Sequence, residues 1–177
     1  MKNARVKLGA AVAVAAVFGL VGTAALAGGN VDHEHLTGFQ ETPALSTPGA
    51  GDFKIVIHKD SVDYRLEFSG LESDATQAHI HFENRTNAGP VIVFLCSNLG
   101  NGPAGTQACP AAGGTITGTL TAADMTNLGA PQGLAAGEFQ EFEQALRSGA
   151  TYVNVHSVNR PAGEIRAQIN DDHHHHD

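Results

Sequence analysis

The chain has 177 residues, of which 42% are hydrophobic, and a formal net charge of −8. An acidic balance of this kind argues against nucleic acid or an anionic lipid surface as the partner. It leaves cations, proteins and small molecules open.

Lys2, Arg5 and Lys7 precede an uncharged apolar run from Leu8 to Leu26. Ala25-Leu26-Ala27 has the small-x-small form of a signal-peptidase site. Residues 1–27 therefore read as a secretory signal peptide. A membrane anchor is the alternative, because the run approaches the ~20 residues that span a bilayer. The Ala- and Gly-rich composition and the cleavage site favour export. Cleavage after Ala27 leaves 150 residues and, with three basic residues gone, a net charge of −11. That length suits one domain, residues 28–170, with its own core. The low-complexity tail, Asp171 to Asp177 with histidines at 173–176, is expected to be disordered.

After the leader, short alternating runs dominate. Gly51–His58 places Phe53, Ile55 and Ile57 on one face, and Val62, Tyr64, Leu66 and Phe68 alternate in the next run. Lys59-Asp60-Ser61 links the two as a hairpin. Ala75–Phe82 is a third strand, and Pro90–Cys96 is apolar on both faces, as in a central or covered strand. Thr115–Leu120 alternates again. Thr121 to Asp124 has the capping-box form, and Phe139, Phe142 and Leu146 recur at helical spacing over Glu138–Arg147. These two helical elements fall in one crossover. Thr151–Val158 and Glu164–Ile169 close the domain, joined by the turn-forming Asn159-Arg160-Pro161-Ala162-Gly163. The whole predicts an all-β, antiparallel Greek-key sandwich or barrel with one or two short helices in a crossover.

Two cysteines, Cys96 and Cys109, remain in the exported chain and flank a loop-like segment. An even count in an oxidising compartment predicts a disulfide that staples this loop.

The chemistry lies in the histidines. Residues i and i+2 of a strand share a face, so His79 and His81 project together, with Cβ atoms roughly 7 Å apart. Both imidazoles can then reach one metal at ~2.0–2.1 Å. Ala78, Ile80 and Phe82 form the opposite, core-facing side. His156 occupies the same kind of face in Tyr152-Val153-Asn154-Val155-His156-Ser157. If the two strands are neighbours, His79, His81 and His156 make a three-imidazole set suited to copper or zinc. The bland alternative is three polar residues on a solvated strand face.

His33 and His35 repeat the i, i+2 pattern and read as exposed positions of a fraying edge strand, with a second metal site as the alternative. Glu164 and Arg166 share a strand face and are read as ion-pairing residues, with each other or with a neighbour. No nucleophile elbow, phosphate loop or His-Glu-x-x-His motif occurs.

The segment from Leu36 to Pro43, "LTGFQETP", is followed in order by "AHIH" from Ala78, "GPV" from Gly89, "YVNVHS" from Tyr152 and "PAGEIRAQI" from Pro161. The set resembles the CHRD domain, the module named after chordin, over about Glu34–Asn170. The resemblance implies an exported all-β domain without a general established activity. The growth-factor binding linked to the animal members is not carried over to this chain. More distantly, His79, His81 and His156 are similar to the copper ligands of copper/zinc superoxide dismutase. No histidine lies between His81 and His156 to serve as that enzyme's bridging and zinc ligands.

The sequence therefore supports an exported binding domain that holds copper or zinc. A dismutase-like copper enzyme guided by Arg160 or Arg166, and a structural or adhesive domain without metal, are the alternatives. An extracellular protein partner of unknown identity fits any of the three.

Overall fold

The computed structural model describes residues 30–170. The expected signal peptide and the His/Asp-rich tail lie outside the described residues. Eight antiparallel strands run as β1 (Asn30–Thr37), β2 (Ala50–Ile57), β3 (Val62–Ser69), β4 (Ala75–Phe82), β5 (Val91–Ser97), β6 (Gly114–Leu120), β7 (Thr151–Ser157) and β8 (Ile165–Ile169). The single α-helix among the described residues, α1, spans Phe139–Arg147. The sheet order is β5-β4-β7-β8-β1-β2-β3-β6. β5 and β6, at the two ends of that order, approach each other and nearly close the sheet into a barrel. β7 returns beside β4 after the excursion through β5 and β6, which is a Greek-key winding.

Alternation explains the core. Phe53, Ile55 and Ile57 of β2, Leu66 and Phe68 of β3, Ala78 and Ile80 of β4, and Val153 and Val155 of β7 are all buried. Each sits at period two along its strand, so one face of the sheet lines the barrel interior. Helix α1 buries Phe139, Phe142, Ala145 and Leu146, and its Arg147 pairs with Glu143 one turn earlier. The capping box at Thr121 and Asp124 forms as read, on a short 3-10 turn over Ala122–Asp124. Two further 3-10 turns, Gly38–Gln40 and Ala130–Gln132, carry no periodic signal in the sequence.

Two expectations need correction, at β1 and at Glu164 and Arg166, and a third is sharpened at β5. β1 is not a fraying edge: it pairs with β2 through eight positions and meets β8 at Thr37. β5, read as central or covered, is the covered kind. It ends the hydrogen-bonded order, and the crossover seals it through a bridge from Val93 to Met125 and a bond from Thr126 N–H to the Ile92 carbonyl. Glu164 and Arg166 take separate partners. The Glu164 carboxylate accepts from Thr47 Oγ1 at 2.6 Å and the Glu72 amide at 2.7 Å, whereas Arg166 donates to Asn84 and Asn87 carbonyls, both at 3.0 Å. The reason is position. Glu164 precedes β8 and turns toward the 47–49 and 72 loops.

Cys96 and Cys109 form the expected disulfide across a separation of 13 residues. Cys96 lies in β5 and pairs against Ala78 of β4, so the bridge ties the loop to the strand beside the one that carries His79 and His81. Replacing both cysteines with alanine is expected to cost about 3 kcal/mol by loop-closure entropy. Urea unfolding of the variant against the parent measures it.

Among the described residues, no helix is long and apolar enough to cross a membrane.

Candidate metal centre

β4 and β7 are neighbours, the condition on which the three-histidine set depended. Their register pairs Gln77 with His156, His79 with Asn154 and His81 with Tyr152, and β8 extends two rows by placing Arg166 opposite Asn154 and Gln168 opposite Tyr152. The outer face of these three strands is thus a polar grid. His79 pairs on its other side with Phe94, and the β4–β5 ladder shifts register just before His79 and just before His81. Such irregularities re-aim side chains beside functional sites.

This face is not solvated. His79, His81 and His156 are 2%, 7% and 6% exposed, and every residue of β7 and β8 is buried. Burial on the core side comes from the barrel. On the other side it comes from three loops, residues 41–45, 83–90 and 159–163. Arg166 holds two of them down. Its guanidinium donates to Thr42 Oγ1 at 3.3 Å and to the Asn84 and Asn87 carbonyls, while its Cζ lies 3.4 Å from the centre of the Tyr152 ring. Tyr152 in turn stacks on His81, with ring centres 4.6 Å apart and planes within 4°.

The three imidazoles converge. One ring nitrogen from each lies within 4.8 Å of the others. Their backbone partners set the tautomers. His81 Nδ1–H donates to the Gly89 carbonyl at 2.8 Å, and His156 Nδ1–H donates to the Pro161 carbonyl at 3.0 Å. A carbonyl only accepts, so both Nε2 atoms carry lone pairs. His156 Nε2 can then accept from His79 Nδ1–H at 3.2 Å, which leaves His79 Nε2 as a third lone pair. His79 Nε2 and His81 Nε2 are buried with no hydrogen-bond partner. His156 Nε2 also faces Asn154 Oδ1 at 3.0 Å.

Burial keeps the rings neutral. Desolvation, reinforced by His156 and then His81, pushes His79 down to about 2. Desolvation also lowers His81 to about 4 against the opposing Gly89 bond, and it lowers His156 against the Pro161 bond. Neutral imidazole is the form that binds metal. The donor set is three imidazole nitrogens, two of them on rings held from behind by backbone carbonyls, and it could hold a metal ion.

Glu41 joins the site unannounced. It is buried, its Oε1 has no hydrogen-bond partner, and burial raises its pKa despite the nearby Arg166 and the Thr42 amide, which donates to its other oxygen. In the sequence it was only a letter of the "LTGFQETP" segment, because the burial of a carboxyl depends on which loops fold over it. Phe94, edge-on to His79 at 4.4 Å, was likewise unassigned. His33 and His35 do not join the cluster; both contact Asp52. Two glycines let the covering loops approach. A Cβ on Gly89 would lie 2.2 Å from the Phe82 carbonyl oxygen. On Gly163, at φ +127°, it would lie 2.3 Å from Glu41 Oε1 and 2.8 Å from Asn154 Nδ2. Gly163→Ala is expected to destabilise the fold by about 2–3 kcal/mol, from left-handed backbone strain plus displacement of buried polar groups. Thermal unfolding measures it.

A family model for the CHRD domain matches residues 33–169. The chain belongs to the CHRD domain family. The match spans all three histidines, both cysteines and the Glu41 loop. No curated protein and no solved structure matches the chain. The CHRD match does not support the likeness to copper/zinc superoxide dismutase.

Proposed function

We propose that this CHRD domain is an exported binding module that holds one copper or zinc ion on His79, His81 and His156. The carrying observation is the pair of buried, unpartnered Nε2 atoms on His79 and His81. A polar atom removed from water without a partner costs about 1–3 kcal/mol, and a bound cation would satisfy both at once. The contact between His156 Nε2 and Asn154 Oδ1 points the same way. With His156 neutral it brings two acceptors together, and a cation beside them relieves the repulsion. The ion would rigidify the junction of β4 and β7 and leave coordination positions under the covering loops.

The test uses protein whose four tail histidines, His173 to His176, are replaced by alanine, so that the tail does not compete for metal. Titration with Cu²⁺ or Zn²⁺ should show an equivalent of metal that is lost on His156→Ala. Affinity unchanged by that substitution sinks the proposal and leaves a structural or adhesive domain.

A dismutase-like copper enzyme is the second reading. Three imidazoles on the outside of a Greek-key barrel favour it. Its guiding cations are committed elsewhere, since Arg160 bonds Glu72 at 2.8 Å and Arg166 is buried against Tyr152. Superoxide turnover by the copper-loaded protein no faster than by free copper removes this reading.

A further inference from the structure

Outside the buried cluster, His33 and His35 stand on the exposed face of β1, held by the full ladder to β2. His35 lies directly opposite Asp52, and His33 is two residues along the same face. One Asp52 oxygen lies 3.0 Å from His33 Nε2 and 3.6 Å from His35 Nδ1. Donor atoms at the corners of a tetrahedral site with ~2.0–2.1 Å legs are about 3.3 Å apart, so both distances straddle the edge such a site needs. The side chains are half-exposed, at 51%, 61% and 53% for His33, His35 and Asp52.

We infer that His33, His35 and Asp52 form a second, solvent-facing site for a borderline divalent cation such as Cu²⁺ or Zn²⁺, filled and emptied independently of the buried centre. Two nitrogen donors exclude Mg²⁺ and Ca²⁺, which take oxygen. The carboxylate supplies the negative charge that the all-imidazole cluster lacks. Binding requires the rings to turn from the shared oxygen toward a common centre, and their exposure leaves room for that motion. Water completes the coordination, so exchange is fast. Neighbouring charges set the strength. Lys54 stands opposite His33 and opposes the cation, and Arg65 beyond it is held by Glu67 at 2.7 Å.

The experiment is a Zn²⁺ titration, followed by calorimetry, of protein with the four tail histidines replaced by alanine. In a His79→Ala background one class of binding should remain. Adding His33→Ala or His35→Ala should weaken that class by tenfold or more, since loss of even an outer-shell partner costs about 10–100-fold in metal affinity. Lys54→Gln should tighten it severalfold by removing a nearby positive charge. Should His79→Ala fail to fold, histidine-ring NMR of protein with His79 intact reads the same point, because the His33 and His35 ring signals should shift on adding Zn²⁺. An isotherm in the His79→Ala background that ignores His33→Ala and His35→Ala overturns the inference, as do ring signals that stay fixed at millimolar Zn²⁺. Neither result bears on the buried centre, whose loss is read separately through His156→Ala.

Discussion

Leucine in place of His79 is expected to abolish metal binding at the buried centre and, in the metal-free protein, to leave stability within about 1 kcal/mol of the parent. His79 Nε2 is buried without a partner, so the imidazole bears a desolvation cost that leucine does not. Leucine keeps packing against Phe94, but it gives up the 3.2 Å bond to His156 and leaves His156 Nε2 without its donor, which offsets that relief. With metal the two proteins separate. The parent gains about 2.7 kcal/mol at a free metal concentration 100 times Kd, and the variant gains nothing from this centre. Calorimetric unfolding of both proteins, with and without Cu²⁺, measures the separation, the tail histidines being alanine in each. A variant stabilised by metal as much as the parent refutes the assignment of His79.

The metal-free protein is also expected to lose stability steeply between pH 6.5 and pH 4. An unfolded histidine titrates near ~6.5. In the folded protein His81 waits until about 4 and His79 until about 2, and His156 is lowered too. Within that window the unfolded chain binds protons that the folded chain refuses, so stability falls as the pH falls. Each histidine contributes about 1.4 kcal/mol per pH unit. His79 and His81 together would remove roughly 4 kcal/mol by pH 5, a large share of the ~5–15 kcal/mol that holds a typical domain, and His156 acts in the same direction. Glu41 acts in the opposite sense, because its raised pKa lets the folded state take a proton first. One such group cannot offset three. Urea midpoints from pH 7 to pH 5 give the slope, and His81→Leu should reduce it by one histidine's share. A stability profile flat over that range contradicts the burial of neutral imidazoles.

The two predictions rest on different parts of the molecule's legibility. Alternation placed β2, β3, β4 and β7 to within a residue or so, because a half-buried strand writes its period of two into the sequence. It also placed His79, His81 and His156 on the faces turned away from the barrel interior. It could not say that those faces are dry. A strand face covered by loops and one bathed in water carry the same alternation, and β7 is buried at all seven positions despite carrying Asn154 and His156. Likewise β1 read as a frayed edge because it stands at the expected start of the exported domain. Its pairing with β2 and its contact with β8 depend on chain closure, which local pattern does not encode.

The sequence by itself determined the strands, the disulfide partners and which histidines share a face, because these follow from local period and from the number of cysteines. Tertiary structure alone decided the rest. Antiparallel pairing of β4 with β7 brings His156 to His79 across 77 residues of chain. Three loops, two of them held by Arg166, exclude water from the cluster. The Gly89 and Pro161 carbonyls choose which nitrogen of His81 and His156 keeps its lone pair. Burial, register and tautomer are properties of contacts between segments distant in sequence, and the chemistry of an imidazole changes with all three.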